Sequence, residues 1–236
     1  MSRNFRFKQF EIEQQVCAMK VSTDGVLLGA WTHLDGSEHR ILDIGTGTGL
    51  VALMLAQRSE RWQPKVDAVE IDPQSAAEAA QNAARSPWAA RVEVTTADVT
   101  CFDAAPYDLI VSNPPYYDSS LLSPDGLRTT ARHTVALTFD RLFASVGRLL
   151  ADRGRFALIV PTDIFPKMVV SASAVGLFVV RETAVSTRTG MAPKRTLAEF
   201  ARRAARVEKN TFSVHDEGGG YTDSYCRLTA DFYLDF

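Results

Sequence analysis

One segment constrains the fold more than any other. The apolar run Ile41-Leu42-Asp43-Ile44 ends in Gly45-Thr46-Gly47-Thr48-Gly49, and Leu50-Val51-Ala52-Leu53-Met54-Leu55-Ala56 follows with no polar residue. The first run has the length of a strand, the glycines permit a tight turn, and the last run describes a helix buried all round. The same alternation continues. Val66 to Glu70 reads as a strand, Ser75 to Arg85 as an alanine-rich helix and Val92 to Val94 as a third strand. Tyr107 to Ser112 reads as a fourth strand, Val135 to Leu150 as a helix and Phe156 to Val160 as a fifth strand. Strands alternating with helices predict an α/β fold, a doubly wound, mainly parallel sheet covered on both faces.

Beyond Pro161 the patterns weaken. Leu177 to Ser186 reads as a strand, Ser186 to Pro193 as a polar loop, and Gly218 to Gly220 as a flexible tip. Thr196 to Ala204 reads as a strand, although Leu197, Phe200, Ala201 and Ala204 also have helical spacing. Nothing marks a domain boundary, so the expectation is one domain over residues 1–236, with residues 1–36 as a short extension at the cofactor site. With 46% hydrophobic and 23% charged residues, 236 residues can bury a sizeable core, which excludes disordered and fibrous classes. No apolar run reaches the ~18 residues that cross a bilayer, and no signal-peptide core is present, so a soluble cytoplasmic protein with no membrane partner is expected. Cys17, Cys101 and Cys226 are odd in number and far apart, which suggests neither a disulfide framework nor a metal site.

The net charge of −2 gives no global attraction to nucleic acid. Its distribution is uneven. From Arg181 to Lys209 eight basic residues face three glutamates, a local balance of +5. Such a segment is either a solvated face or a surface for RNA or DNA, with Arg188, Lys194 and Arg195 as candidate phosphate contacts.

The first strand–helix turn of a doubly wound sheet is where nucleotide-like ligands bind, because glycines let the backbone approach closely. Here the spacing is G-x-G-x-G, one residue tighter than the G-x-G-x-x-G that seats a pyrophosphate. A cofactor without phosphate, S-adenosylmethionine, fits that difference. Glu70 ends the second strand and can accept hydrogen bonds from both ribose hydroxyls. Asp98, after the third strand, can accept from an adenine amino group. Each feature alone has a bland structural reading; in this order and spacing they point together to an adenosyl cofactor.

Asn113-Pro114-Pro115-Tyr116 follows the fourth strand, at the carboxyl end where such sheets open their crevice. Prolines lack amide donors, so the Pro114 carbonyl and the Asn113 side-chain carbonyl can both accept from an exocyclic amine. Two such acceptors hold the amine hydrogens away from the ring and aim its lone pair at an electrophile. Tyr116 and Tyr117 can stack on a planar base, at about 1–3 kcal/mol per base. His33, His39, His133 and His215 show no i, i+4 pair and no companion cysteines, so no metal is expected.

These motifs, Leu42-Asp43-Ile44-Gly45-x-Gly47-x-Gly49, Glu70 and Asn113-Pro114-Pro115-Tyr116, resemble the class I S-adenosylmethionine-dependent methyltransferases that methylate amino groups. Longer blocks make the chain similar to the bacterial tRNA(Val) adenine-N6 methyltransferases. They are Phe7-Lys8-Gln9-Phe10, Cys17-Ala18-Met19-Lys20-Val21-x-Thr23-Asp24-Gly25-x-Leu27-Leu28-Gly29-Ala30-Trp31, Ser86-Pro87-Trp88-Ala89 and Tyr225-x-x-Leu228-Thr229-x-x-Phe232-Tyr233-Leu234. The resemblance implies a Rossmann-like fold and methylation of N6 of the adenine just 3′ of the anticodon, with tRNA as partner and no obligate protein partner. It implies catalytic roles for Asn113, Pro114 and Tyr116, with Tyr117 on the RNA. It places Lys20, Thr23 and Asp24 at the methionine end of the cofactor, with Asp43, Gly45, Gly47, Gly49, Glu70, Ile71, Asp98 and Asn113 completing the cofactor site. Other readings are methylation of a guanine amine in rRNA, of adenine in DNA or of a protein glutamine. A further one is a non-catalytic adenosyl- or RNA-binding module, against which the intact Asn113 to Tyr116 motif argues.

Overall fold

A computed structural model describes residues 4–114 and 137–236. Along them run β1 (Asn4–Arg6), β2 (Glu11–Glu13), α1 (Thr23–Trp31), β3 (Arg40–Ile44), α2 (Leu50–Arg58), β4 (Lys65–Glu70), α3 (Pro73–Arg85), β5 (Val92–Thr96) and β6 (Tyr107–Ser112). After the undescribed stretch come α4 (Phe139–Leu149), β7 (Leu150–Pro161), α5 (Phe165–Ala174), β8 (Phe178–Arg188), β9 (Arg195–Ala201), β10 (Glu208–His215) and α6 (Asp223–Thr229). Strands β3 to β10 form an eight-stranded sheet in the order β10-β8-β9-β7-β6-β3-β4-β5. Strand β9 runs antiparallel to both β7 and β8, and the other neighbours are parallel. The doubly wound, mainly parallel sheet read from the sequence is therefore present.

Alternation along the strands builds two cores. On β3, Ile41 faces a layer formed with Val26, Leu27, Leu53 and Met54, while Leu42 and Ile44 face Leu142, Phe143 and Val146 of α4. Four of the described helices start at residues whose side chains cap them. Ser22, Asp72, Thr138 and Thr222 each accept from an amide in the first turn of α1, α3, α4 and α6.

Several expectations shift. The helix read from Val135 begins at Phe139, and residues 135 and 136 lie outside the described residues. Strand β7 extends seven residues either side of the predicted core in total, starting at Leu150. Strand β8 continues through Arg188 and thereby shortens the loop read from Ser186. Residues 195–201 are a strand despite the helical spacing, ending three residues before the expected Ala204, because β9 lies between β7 and β8 and has Thr196 to Phe200 all buried. The β1–β2 hairpin, α1, α5, β10 and α6 are elements for which no strand or helix is expected above.

The two chain ends are clasped. The Lys8 amide donates to Phe232 O, and Lys8 Nζ donates to Ala230 O and Phe236 O, each at 2.6 Å for Nζ. Phe5 and Phe7 meet Tyr233 through ring contacts of 6.2 and 6.0 Å, and Phe10 packs edge-on against Trp88 at 5.8 Å. Among the described residues no helix is long and apolar enough to cross a membrane.

Candidate active site

The loop Gly45 to Gly49 connects β3 to α2 at the carboxyl edge of the sheet. Its three glycines have φ of +69°, +57° and +83°, the left-handed region where any side chain is strained. A Cβ on Gly45 would meet nothing within 4 Å, so backbone there borders open space. The loop is pinned from three sides. Amides of Gly45 and Thr46 donate to Val69 O at 2.8 and 3.2 Å. Asp43, fully buried, accepts from Thr46 Oγ1 at 2.6 Å and from the Ala52 amide in the first turn of α2 at 3.2 Å. Burial pushes its carboxyl up to about 7; those two bonds pull it down and the charge of Glu70 adds to the rise.

Glu70 ends β4 beside the loop. Its Oε2 accepts from the Gly47 amide at 3.0 Å and its Oε1 from the Asp72 amide at 3.1 Å. A carboxylate has about four acceptor sites, so two bonds leave capacity on both oxygens. Ile71, the next residue, is 41% exposed, an apolar side chain presented at the same edge. Asp98 follows β5; its Oδ1 accepts from the Thr100 amide at 2.8 Å and from Thr100 Oγ1 at 2.7 Å. Burial raises the Asp98 carboxyl, but the Thr100 bonds and the Arg141 charge outweigh it and hold it below the usual range.

Across the loop, the amino end of α1 and the arm before it complete a cleft. It is lined by Met19, Lys20, Ser22, Gly25, Asp43, Gly45 to Thr48, Leu50, Val51 and Asn113. Lys20, Asp43, Gly45, Gly47 and Asn113, five residues singled out from the sequence, thus share one cavity of about 370 Å³ including its open mouth. First turns of α1 and α2 both face it, supplying amide donors and the positive ends of two helix dipoles. Asn113 sits just past β6, with Nδ2 3.9 Å from Met19 Sδ. Ser112 Oγ donates to Ile44 O at 2.9 Å, so the β6 end that carries Asn113 is fixed to the β3 end that carries the glycine loop. Pro114 is buried; Tyr116 and Tyr117 lie outside the described residues.

A methyltransferase small domain family model matches residues 25–167. The chain is 45% identical over 236 residues to a tRNA1(Val) (adenine(37)-N6)-methyltransferase of Aeromonas hydrophila, covering 99% of each. It is 45% identical to the protein of that name from Bacteroides fragilis, over 98% of this chain and 97% of the relative. This chain belongs to the methyltransferase small domain family. Among solved structures, a predicted O-methyltransferase of Agrobacterium tumefaciens superposes with a TM-score of 0.67 at 22% identity, covering 89% of this chain and 96% of that one.

In this methyltransferase, two expected cofactor residues, Thr23 and Asp24, lie in the first turn of α1 and are not among the residues that line the cleft. Thr23 is exposed, and Asp24 Oδ2 accepts from Arg195 Nε at 2.7 Å. Arg195 thereby ties the start of β9 to α1. The basic segment does not form one face. Arg188 and Lys194 stand at the sheet edge where β3 and β6 end, because β8 runs parallel to them. Strand β9 then reverses, carrying Arg203 and Arg206 to the opposite edge. Arg202 bonds Gly147 O and Leu150 O, and Arg181 lies 3.6 Å over the Trp31 ring. Two residues of α3 were missed altogether. Glu78 and Asn82, both buried, hold the arm before α1, and no local pattern in an alanine-rich helix marks them.

Proposed function

We propose that this methyltransferase transfers the methyl group of S-adenosylmethionine to N6 of an adenine in tRNA, adenine 37 of tRNA(Val), in the cytoplasm. The names of the full-length relatives support the substrate. One observation carries the chemistry: Asn113 lies in the same cleft as the glycine loop and the amino end of α1.

The residues present suit such a cofactor. Glu70 and Asp98 offer carboxylate acceptors for an adenosine moiety on one side of the loop. Lys20, Ser22 and the first turn of α1 offer cationic and donor groups for an amino-acid moiety on the other. When bound, the cofactor supplies a methyl carbon made electrophilic by a sulfonium. Asn113, with the Pro114 carbonyl, accepts from the adenine amine and orients its lone pair. The amine attacks as a neutral group and sheds its proton after transfer, so the chain has to position it and needs no strong base. Orientation of this kind is worth up to ~7–11 kcal/mol in well-aligned systems. Tyr116 and Tyr117 are assigned to stacking on RNA bases, and an anticodon-loop adenine is already partly unpaired, which lowers the cost of presenting its edge.

Single-turnover transfer of labelled methyl to unmodified tRNA tests the reading. At saturating cofactor, Asn113→Ala should slow transfer roughly 10²–10³-fold, the loss typical of one preorganised partner. Transfer at the parent rate would remove Asn113 from the chemistry.

A further inference from the structure

The arm from Glu13 to Lys20 has little regular structure beyond the end of β2, yet Met19 and Lys20 form one wall of the cleft. What holds it is α3. Glu78 turns its carboxylate to three successive amides: Oε1 accepts from Gln15 N and from Val16 N at 3.0 Å, and Oε2 accepts from Cys17 N at 2.9 Å. Burial raises the Glu78 carboxyl, but these amides, with Lys20 nearby, outweigh it, so the group stays charged well below neutrality. One turn along the same face, Asn82 uses both ends of its amide. Its Oδ1 accepts from Glu13 N at 2.9 Å; its Nδ2 donates to Glu13 O and to Thr48 O, both at 2.9 Å. Thr48 belongs to the glycine loop, so Asn82 joins the arm to the loop directly. Cys17, held by Glu78, brings its Sγ within 3.5 Å of where a side chain on Gly47 would begin.

The spacing i, i+4 places both side chains on one helix face, and no residue of α3 itself lines the cleft. We propose that Glu78 and Asn82 are positioning residues that hold the arm against the glycine loop and so build the amino-acid end of the cofactor site. This rests on the reading that the cleft takes S-adenosylmethionine. The adenosine end depends on Glu70, Ile71 and Asp98, which the arm does not hold. Loosening the arm therefore weakens ligands that carry the amino-acid tail and spares those that lack it. A general loss of structure would weaken both.

The experiment compares two probes by calorimetry on the purified chain: S-adenosylhomocysteine, which has the tail, and 5′-methylthioadenosine, which does not. In Glu78→Ala and Asn82→Ala the first should bind at least ~10-fold more weakly, about 1.4 kcal/mol, and the second within about twofold of the parent. Glu78→Gln keeps the acceptor for Gln15 and Val16 but sets an amide donor against Cys17 N, so it should fall between parent and alanine variant. It also serves if Glu78→Ala does not fold. Equal losses for both probes, or none for either, would overturn the positioning role. A parent chain that bound neither probe would instead sink the cofactor reading, and this proposal with it.

Discussion

Asp43 shows how a single buried group can serve a loop and still cost stability. It is the acceptor that fixes Thr46 and the first turn of α2, but its carboxyl sits in an apolar layer and titrates near 7. In the unfolded chain an aspartate titrates at about 3.9. Between these values the folded protein binds a proton that the unfolded chain has released, so this contribution is whole below pH 4 and is lost as pH rises through 7. Asp43→Asn keeps an acceptor for Thr46 and never acquires charge. Relative to that variant, the parent should therefore lose about 1 kcal/mol or more of unfolding free energy between pH 5 and pH 8, a single pKa unit being worth about 1.4 kcal/mol. Denaturant titrations at the two pH values measure the difference. Curves that stay parallel would mean that Asp43 is ionised throughout. Glu70 illustrates the opposite arrangement at the same loop: its carboxylate is half-exposed, takes backbone amides from Gly47 and Asp72, and keeps acceptor capacity for a ligand.

At the scale of elements, the cleft depends on how closely α1 approaches α2. Gly29 makes that approach possible, since a Cβ there would lie 2.7 Å from Met54 Sδ and 2.9 Å from Met54 Cβ. Gly29→Val should force the helices apart and destabilise the fold by ~1–3 kcal/mol, the usual range for overpacking. Met54→Ala in the same chain should recover part of that loss, and a double-mutant cycle with no coupling would place the strain elsewhere. The same helix shows where sequence reading stops. Alternation and apolar runs made β3, β4, β6, α2 and α3 legible, because those elements bury regular stripes against the central sheet. Helix α1 reads Thr-Asp-Gly-Val-Leu-Leu-Gly-Ala-Trp, with two glycines and six consecutive buried residues, so it has no polar face to reveal its period. Strand β10 is exposed over its first four residues, and only Phe212 and Val214 alternate in it, too short a pattern to detect. In the site, Gly45, Gly47, Lys20 and Asn113 were legible from motif and resemblance. Glu78 and Asn82 were not, since their meaning lies in backbone amides some sixty to seventy positions away in the chain.

For the whole molecule, the question is how a chain of net charge −2 attracts an RNA. A local balance of +5 between Arg181 and Lys209 looks like one basic surface in the sequence, and the β8–β9 reversal divides it. Arg188 and Lys194 stand at the edge that holds Gly45 and Asn113, while Arg203 and Arg206 stand at the other and are exposed. Phosphate contacts release counterions, so each one steepens the fall of affinity with salt, by about 0.7 in a log–log plot for single-stranded nucleic acid. Charge reversal at Arg188 and Lys194 together should therefore weaken tRNA binding and flatten that slope by about 1–2, with cofactor affinity unchanged. The matched reversal at Arg203 and Arg206 alters net charge by the same amount at the far edge, and it should leave the slope near the parent's. Binding isotherms for unmodified tRNA at several salt concentrations measure both. Equal slopes in the two variants would mean that the RNA senses only overall charge; a flatter slope in the Arg203 and Arg206 variant alone would move the RNA to the edge away from Asn113. The first outcome would leave selection of the target base to residues around Asn113, and the second could not be squared with transfer at that cleft.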